Sequence, residues 1–371
     1  MLTKIIRKAG LGNTALNVMR PFVGGSCELP TPDKALEHLH CVSPDPGNSC
    51  LWDKKSGDVS GIELDIIIPV YNAEAYVARC LDSALNQQTK YSFRLIVIDD
   101  GATDSSPAII DRYSGDSRVL INHQKNRGFS GARNAGLELS DAKFVSFLDS
   151  DDTLPQGAIE AMLACAYENN AAIVEGAFSS VSPEGKVLSE TAHPAGRLDP
   201  RKELFGFTCM KIISSELINN ICFPEGYWYE DSIMAQIIYP LAQKHGLCAW
   251  GVKDKVYNYT INPKGISHTG RKSPKSIDSL WVSLQLYKDR QKLGLEKDQA
   301  YYEYILSMLI LSYRRAQAQS EETKKAMFTL WKDFIEKEFS AFKTENSKYK
   351  ILEQAVREGN YALYKAACEL T

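Results

Sequence analysis

Leu64-Asp65-Ile66-Ile67-Ile68-Pro69-Val70-Tyr71-Asn72 is a short apolar run that stops abruptly in polar, turn-forming residues. The same texture returns three times: Phe93 to Ile98 ends in Asp99-Asp100-Gly101, Val119 to Asn122 leads to Asn126-Arg127-Gly128, and Phe144 to Leu148 ends in Asp149-Ser150-Asp151-Asp152. Such runs read as buried strands. Between the first two, Tyr76, Val77, Cys80, Leu81, Ala84 and Leu85 share one helical face within Ala75 to Gln87, with Asn72 as a candidate N-cap. Ser105 to Tyr113 follows a Thr103/Asp104 start signal and carries Pro107 in its first turn. Further helices are expected over Gly131 to Leu139 and over Pro155 to Asn169, with Pro155 in the first turn. Strands alternating with helices imply right-handed βαβ units, hence an α/β fold on a mostly parallel, Rossmann-like sheet.

Outward from this block the signal changes. Residues 171 to 225 are mixed, with Ile173 to Phe178 a further expected strand, and Tyr229 to His245 reads as a helix kinked at Pro240 and closed by Gly246. After Pro274 the pattern is helical over Ile277 to Lys292, Tyr301 to Gln319 and Glu321 to Phe339, which predicts a separate C-terminal helical subdomain over 273–371. Upstream, residues 21 to 61 are rich in Pro, Gly, Ser and Asp without a sustained period, so 1–61 reads as an irregular N-terminal extension and 62–272 as the α/β domain.

Composition bounds the rest. The 371 residues are 44% hydrophobic and 24% charged, ordinary globular values that exclude disorder of the whole chain. Forty-three basic against forty-six acidic residues leave a net charge of −3 and no basic patch in the body, so no nucleic-acid partner is expected. Nine scattered cysteines, none in a CxxC pair, point to neither a zinc cluster nor a disulfide framework and fit a reducing cytoplasm. No membrane span or secretory signal is present. Residues 1 to 20 carry Lys4, Arg7, Lys8 and Arg20 among apolar residues; an arm broken by Gly10 and Gly12 is favoured over a helix resting on an anionic membrane surface.

In an open α/β sheet, ligands bind beyond the carboxyl ends of the strands, where this chain is unusually polar. Three acids within Asp149-Ser150-Asp151-Asp152 repel one another unless a cation or donors offset them. A hard divalent ion, Mg²⁺ or Mn²⁺, answers that need by sharing substrate phosphate oxygens. A solvated acidic turn, with Asp152 or Thr153 capping the next helix, is the equal alternative. Asp99-Asp100-Gly101 is also ordinary turn chemistry, and Arg133 suits either a phosphate or one of the acids. Glu230 and Asp231 follow Tyr227, Trp228 and Tyr229; aromatics beside a carboxylate suit sugar stacking, although they equally suit a core. His268 reads as structural, and Lys264, Arg271 and Lys272 as an exposed basic loop.

Taken in order, Ile66 to Asn72, Asp99-Asp100-Gly101-Ala102-Thr103-Asp104, Asn126-Arg127-Gly128 with Ala132-Arg133-Asn134, and Leu148 to Asp152 resemble the catalytic domain of family 2 glycosyltransferases, inverting enzymes of the GT-A type from bacterial surface-polysaccharide pathways. The resemblance covers residues 64 to 170 most specifically and extends to about 270 through Glu230-Asp231. It implies a GT-A type nucleotide-diphospho-sugar transferase fold and a nucleotide-sugar donor. Pro69, Tyr71, Asn72 and Asp100 would surround the nucleoside, with Arg133 near the base or phosphates. Asp149, Ser150 and Asp151 match the DxD motif. Asp151 is the first-choice ligand for Mn²⁺ or Mg²⁺, with Asp149 and Asp152 beside it, and Asp231 is the catalytic base. The acceptor would be a hydroxyl of a glycan or lipid-linked sugar. Ala102, where serine is commoner, and the long leader depart from the pattern.

Peripheral membrane contact and a homodimer through the helical tail are compatible with this reading. Two rivals stand beside it. A sugar-nucleotide synthesising nucleotidyltransferase should carry a glycine-rich N-terminal loop where this chain has Pro69 to Asn72. A catalytically silent scaffold of the same fold is disfavoured by acids at every expected position.

Overall fold

A computed structural model of the chain describes residues 28–53, 61–263, 265 and 270–370. Its strands are β1 (Leu64–Val70), β2 (Phe93–Asp99), β3 (Val119–His123), β4 (Phe144–Phe147), β5 (Ala171–Val181), β6 (Val187–Thr191), β7 (Gly196–Leu198), β8 (Lys211–Ser214) and β9 (Cys248–Thr260). They form one nine-stranded sheet in the order β3-β2-β1-β4-β8-β5-β9-β7, with β6 beside β5. The helices are α1 (Pro32–Val42), α2 (Val77–Leu85), α3 (Ser106–Ile110), α4 (Gly128–Leu139), α5 (Ala158–Asn169), α6 (Ser215–Ile218), α7 (Tyr239–Lys244), α8 (Asp278–Lys292), α9 (Gln299–Arg315), α10 (Glu321–Glu338), α11 (Lys350–Arg357) and α12 (Tyr361–Leu370).

The expected α/β architecture with a helical C-terminal region is therefore present. The β3-β2-β1-β4 half is entirely parallel. Beyond it β8 runs antiparallel to both β4 and β5, and β5 pairs β9 in parallel. Because side chains alternate along a strand, Ile66, Ile68, Leu95 and Val97 enter the core under α2 and α5, while Ile67, Ile96, Ile98 and Phe147 enter the core shared with α4. That second core continues without interruption into Leu280, Trp281, Leu306 and Trp331 of the C-terminal helices. α4 lies close on β1 because of Gly136: a Cβ there would stand 2.3 Å from Ile67 Cγ2. No helix among the described residues is long and apolar enough to cross a membrane.

Several local expectations are corrected. Within the supposedly irregular leader, α1 is a regular helix, capped by Thr31 and begun by Pro32; only Ala35 and Leu39 are buried, too sparse a stripe to read as a period. Asn72 does not cap α2: at φ +49° its Oδ1 accepts from Thr103 N at 2.8 Å, binding two loops together. α5 starts at Ala158, after Gly157 at φ +83°, so Pro155 precedes the helix. The segment expected as one kinked helix is helical without a break over residues 232–244, starting later than expected, and its distortion is a π-helical turn, Met234–Ile238, just before Pro240, whose ring cannot join the regular ladder. The eight cysteines within the described residues are free. The expectations for residues 1 to 20, Cys27, Lys264 and His268 lie outside the described residues.

Residues 43–50 are fastened to α8 by two buried carboxylates. Ser43 Oγ donates to Asp278 Oδ1 at 3.0 Å; Ser49 Oγ and Cys50 N donate to Asp289 at 2.8 and 2.9 Å. Replacing Asp289 by alanine leaves the buried Cys50 N–H without its acceptor. We expect Asp289→Ala to lose about 1–3 kcal/mol, read as a lower urea midpoint. An unchanged midpoint would mean that this segment contributes nothing to the fold.

Candidate functional site

The loops after β1, β2 and β4 meet at the carboxyl edge of the parallel half. Asp99 and Asp100 organise this edge through hydrogen bonds. Asp99 Oδ1 accepts from Ala102 N at 2.9 Å, and Asp100 Oδ1 accepts from Gln124 Nε2 and Arg127 N at 2.7 and 2.8 Å. Gly101 makes the turn possible at φ +71°. Pro69 stands near the end of β1 opposite Ile98, and Tyr71 is 52% exposed beside the loop held by Asn72.

After β4 the three acids separate in role. Asp149 pairs with Arg133 at 2.9 Å, and its side chain is 37% exposed. Ser150 is half-buried next to it. Asp151 Oδ2 accepts from Asn262 Nδ2 at 3.1 Å; burial raises its carboxyl, and Asp149 adds to the rise. Asp152 is 1% exposed and bound to β9, accepting from Tyr257 OH at 2.7 Å and Thr260 N at 2.6 Å. Burial pushes its carboxyl up to about 8, with Asp149 and Asp151 reinforcing the shift. Neither Asp152 nor Thr153 caps α5, whose N-cap is Gly157.

Arg133 is the hinge of the arrangement. It is buried on α4, donates to Asp149 through Nη2 and to Glu230 through Nη1, and lies 5.5 Å from the Phe223 ring. Burial works against its charge, and Asp149 and Glu230 outweigh burial, so the guanidinium stays above its ordinary range. Asn134, next in the same motif, exchanges two hydrogen bonds with the backbone of Phe223 at 2.7 and 2.9 Å. Together they tie the end of β4 to the 223–231 segment. Burial raises Glu230 to about 7 against the pull of Arg133, with neighbouring Asp231 adding to the rise. Asp231 is also raised by burial, opposed first by Arg315 and then by Arg133.

The aromatics divide similarly. Tyr227 is buried and its OH donates to Asp45 Oδ1 at 2.6 Å, a structural contact rather than a sugar platform. Trp228 and Tyr229 are half-buried, and Arg315 lies over the Tyr229 ring at 3.6 Å.

Sequence reading missed Arg79, whose Nη2 reaches Asp151 O and Thr260 Oγ1 at 3.3 and 3.1 Å, and also Tyr257, Asn262, Tyr304 and Arg315. The alternation of Val256, Tyr257, Asn258 and Tyr259 was the available signal for β9. Arg315 had none, since cations in the last turn of a helix already suit its dipole.

Asp149 and Asp151 are two carboxylates within electrostatic reach of each other. That donor set fits an ion that keeps waters and shares phosphate oxygens with a ligand. Among the described residues no three His, Cys, Asp or Glu side chains form a cage for a metal.

Residues 65–224 match the family model described as Glycosyl transferase family 2. This stretch is a family 2 glycosyltransferase domain. Glycosyltransferase GlyA of Streptococcus pneumoniae is 27% identical to the chain over 283 residues, 71% of this chain and 40% of GlyA. Poly(ribitol-phosphate) beta-glucosyltransferase of Bacillus spizizenii is 30% identical over 213 residues, 55% of this chain and 33% of that protein. The chain thus spans less than half the length of either relative. Among solved structures, S. aureus TarS 1-349 in complex with UDP-GlcNAc aligns with a TM-score of 0.64 at 18% identity, covering 83% of this chain and 91% of that one. The chain shares that fold, an α/β core with a helical C-terminal region.

Proposed function

We propose that the glycosyltransferase moves a sugar from a nucleotide-diphosphate donor, UDP-sugar favoured, to a hydroxyl of a glycan or lipid-linked acceptor, inverting the anomeric configuration. The observation that carries this reading is the Arg133 bridge, which reaches Asp149 at the carboxyl end of the sheet and Glu230, the neighbour of Asp231, with one side chain. The donor class is supported by UDP-GlcNAc in the TarS complex, and a surface-polymer acceptor by the name of the Bacillus spizizenii relative.

In this reading Pro69, Tyr71, Asn72 and Asp100 flank the nucleoside, and Arg133 keeps Asp149 and Glu230 in register. Asp151 and Asp149 would hold Mn²⁺ or Mg²⁺, which when bound neutralises the departing diphosphate as a Lewis acid. Asp231 takes the proton of the acceptor hydroxyl as its oxygen bonds to the anomeric carbon and the bond to the diphosphate breaks. A single displacement inverts the centre.

Ligand-induced stabilisation tests the proposal. A ligand selective for the folded state adds about 2.7 kcal/mol at a hundred times its dissociation constant. UDP with Mn²⁺ or Mg²⁺ is therefore expected to raise the melting temperature more than GDP does, and Asp151→Asn to lose the metal-dependent part. Absence of a shift with every nucleoside diphosphate would favour the silent scaffold.

A further inference from the structure

The turn that presents Asp231 is held from outside the sheet. Tyr229, two residues earlier, sits at φ +66°, a left-handed conformation that an aromatic residue keeps only when its surroundings enforce it. Arg315, the last residue of α9, supplies part of that enforcement by stacking over the Tyr229 ring at 3.6 Å, and Trp228 meets the same ring edge-on at 6.3 Å. Arg315 Nη1 is buried and has no hydrogen-bond partner among the described residues. A desolvated guanidinium with an unsatisfied nitrogen is costly, so its position calls for a compensating role.

The groups facing Asp231 narrow that role. Arg315 and Tyr304 come from α9, Arg133 from α4, Lys211 from β8, and Tyr229 and Glu230 from the turn itself. Arg133 is paired with Asp149 and Glu230, and Lys211 with Glu175. Arg315 is the cation among these without an ion-pair partner of its own among the described residues.

We propose that Arg315 is a positioning residue for the acceptor-side carboxylate: its guanidinium clamps Tyr229, fixes the turn that presents Asp231, and supplies the positive charge facing it. The C-terminal helices thereby become part of the catalytic apparatus. This inference rests on the reading of Asp231 as the base, and the experiment separates the two.

The pH profile of kcat/KM is measured for the full chain and for Arg315→Gln and Arg315→Lys. Loss of a neighbouring opposite charge raises a carboxylate's pKa, so Arg315→Gln should move the acid limb upward by about one pH unit and lower activity on that limb about tenfold. KM for the donor should stay close to wild type. Arg315→Lys keeps the charge and loses the planar stack, so its acid limb should return toward wild type while kcat stays several-fold low. A folded Arg315→Gln protein with an unmoved limb overturns the proposal. Should that variant fail to fold, wild-type kcat in Arg315→Lys overturns it instead. Inactive Asp231→Asn together with an unmoved limb in Arg315→Gln removes the role of Arg315 alone; active Asp231→Asn removes the base.

Discussion

Asp231→Asn is expected to lower turnover about 10²–10⁴-fold, the usual scale for a lost general base, while donor binding and melting temperature stay near wild type. The substitution is nearly isosteric, and the turn around it is held by backbone bonds that it leaves untouched: Ser232 N to Tyr229 O at 3.1 Å, Ile233 N to Glu230 O at 3.0 Å and Met234 N to Asp231 O at 2.9 Å. A loss confined to kcat is therefore the signature of a group acting on the reacting proton. Burial raises the Asp231 carboxyl above the ordinary aspartate value. The basic form of such a group disappears as pH falls through the raised value, so wild-type activity should fail at a higher pH than an exposed aspartate would dictate. Glu230, raised to about 7 and paired with Arg133, interacts directly with Asp231, so the limb belongs to the pair. Unchanged transfer in Asp231→Asn would end the assignment and leave Glu230 as the next carboxylate to test.

The parts of this site visible in the sequence are those encoded locally. Ile66 to Ile68 and Phe144 to Phe147 are apolar runs buried on both faces and closed by turn residues, so their ends, and the acids placed there, follow from composition alone. The second half of the sheet was hidden for opposite reasons. β7 and β8 are only three and four residues long. β9 carries Lys253, Asp254 and Lys255 exposed at its middle, where its register with β5 slips around Gly176 and Ala177, and this charged interruption disguises a long strand. β9 matters to the site because Tyr257 and Thr260 engage Asp152, which sets it apart from Asp149 and Asp151, the carboxylates proposed to hold the metal. Contacts spanning a hundred residues, such as Tyr257 to Asp152, leave no periodic trace in sequence. The same holds for Arg133 and Glu230, ninety-seven positions apart.

The largest stability loss should come from Lys211→Met. Lys211 on β8 and Glu175 on β5 are both fully buried and form an ion pair; Lys211 Nζ also donates to Phe205 O, Phe207 O and Tyr239 OH at 2.9, 2.6 and 2.7 Å. Glu175 additionally accepts from Phe205 N at 2.8 Å and meets His193 Nε2 at 2.7 Å. Removing one partner strands the other's charge, which costs about 3–5 kcal/mol, a large fraction of the total for a domain of about 5–15 kcal/mol. Burial works against the Lys211 charge, yet Tyr239 and Glu175 hold its ammonium above the ordinary lysine range. A raised lysine contributes in full below its unfolded pKa and loses the contribution only as pH rises through the folded one. The difference between wild type and Lys211→Met should therefore be flat from about pH 6 to about pH 9. The double variant Glu175→Gln/Lys211→Met removes both charges while keeping an acceptor for Phe205 N, and should recover much of the loss. A single-variant loss below about 1 kcal/mol would show that the charge finds another partner or water. The expected result also bears on catalysis. Lys211 anchors the segment ending in Cys209 and Met210, and the Cys209 thiol already feels Asp149 and Asp152. Loosening that segment disturbs the floor beneath Asp149 and Asp152; with Asp149 and Asp151 proposed as metal ligands, the surviving folded fraction of Lys211→Met should bind UDP and Mn²⁺ more weakly, whereas destabilising Asp289→Ala should not.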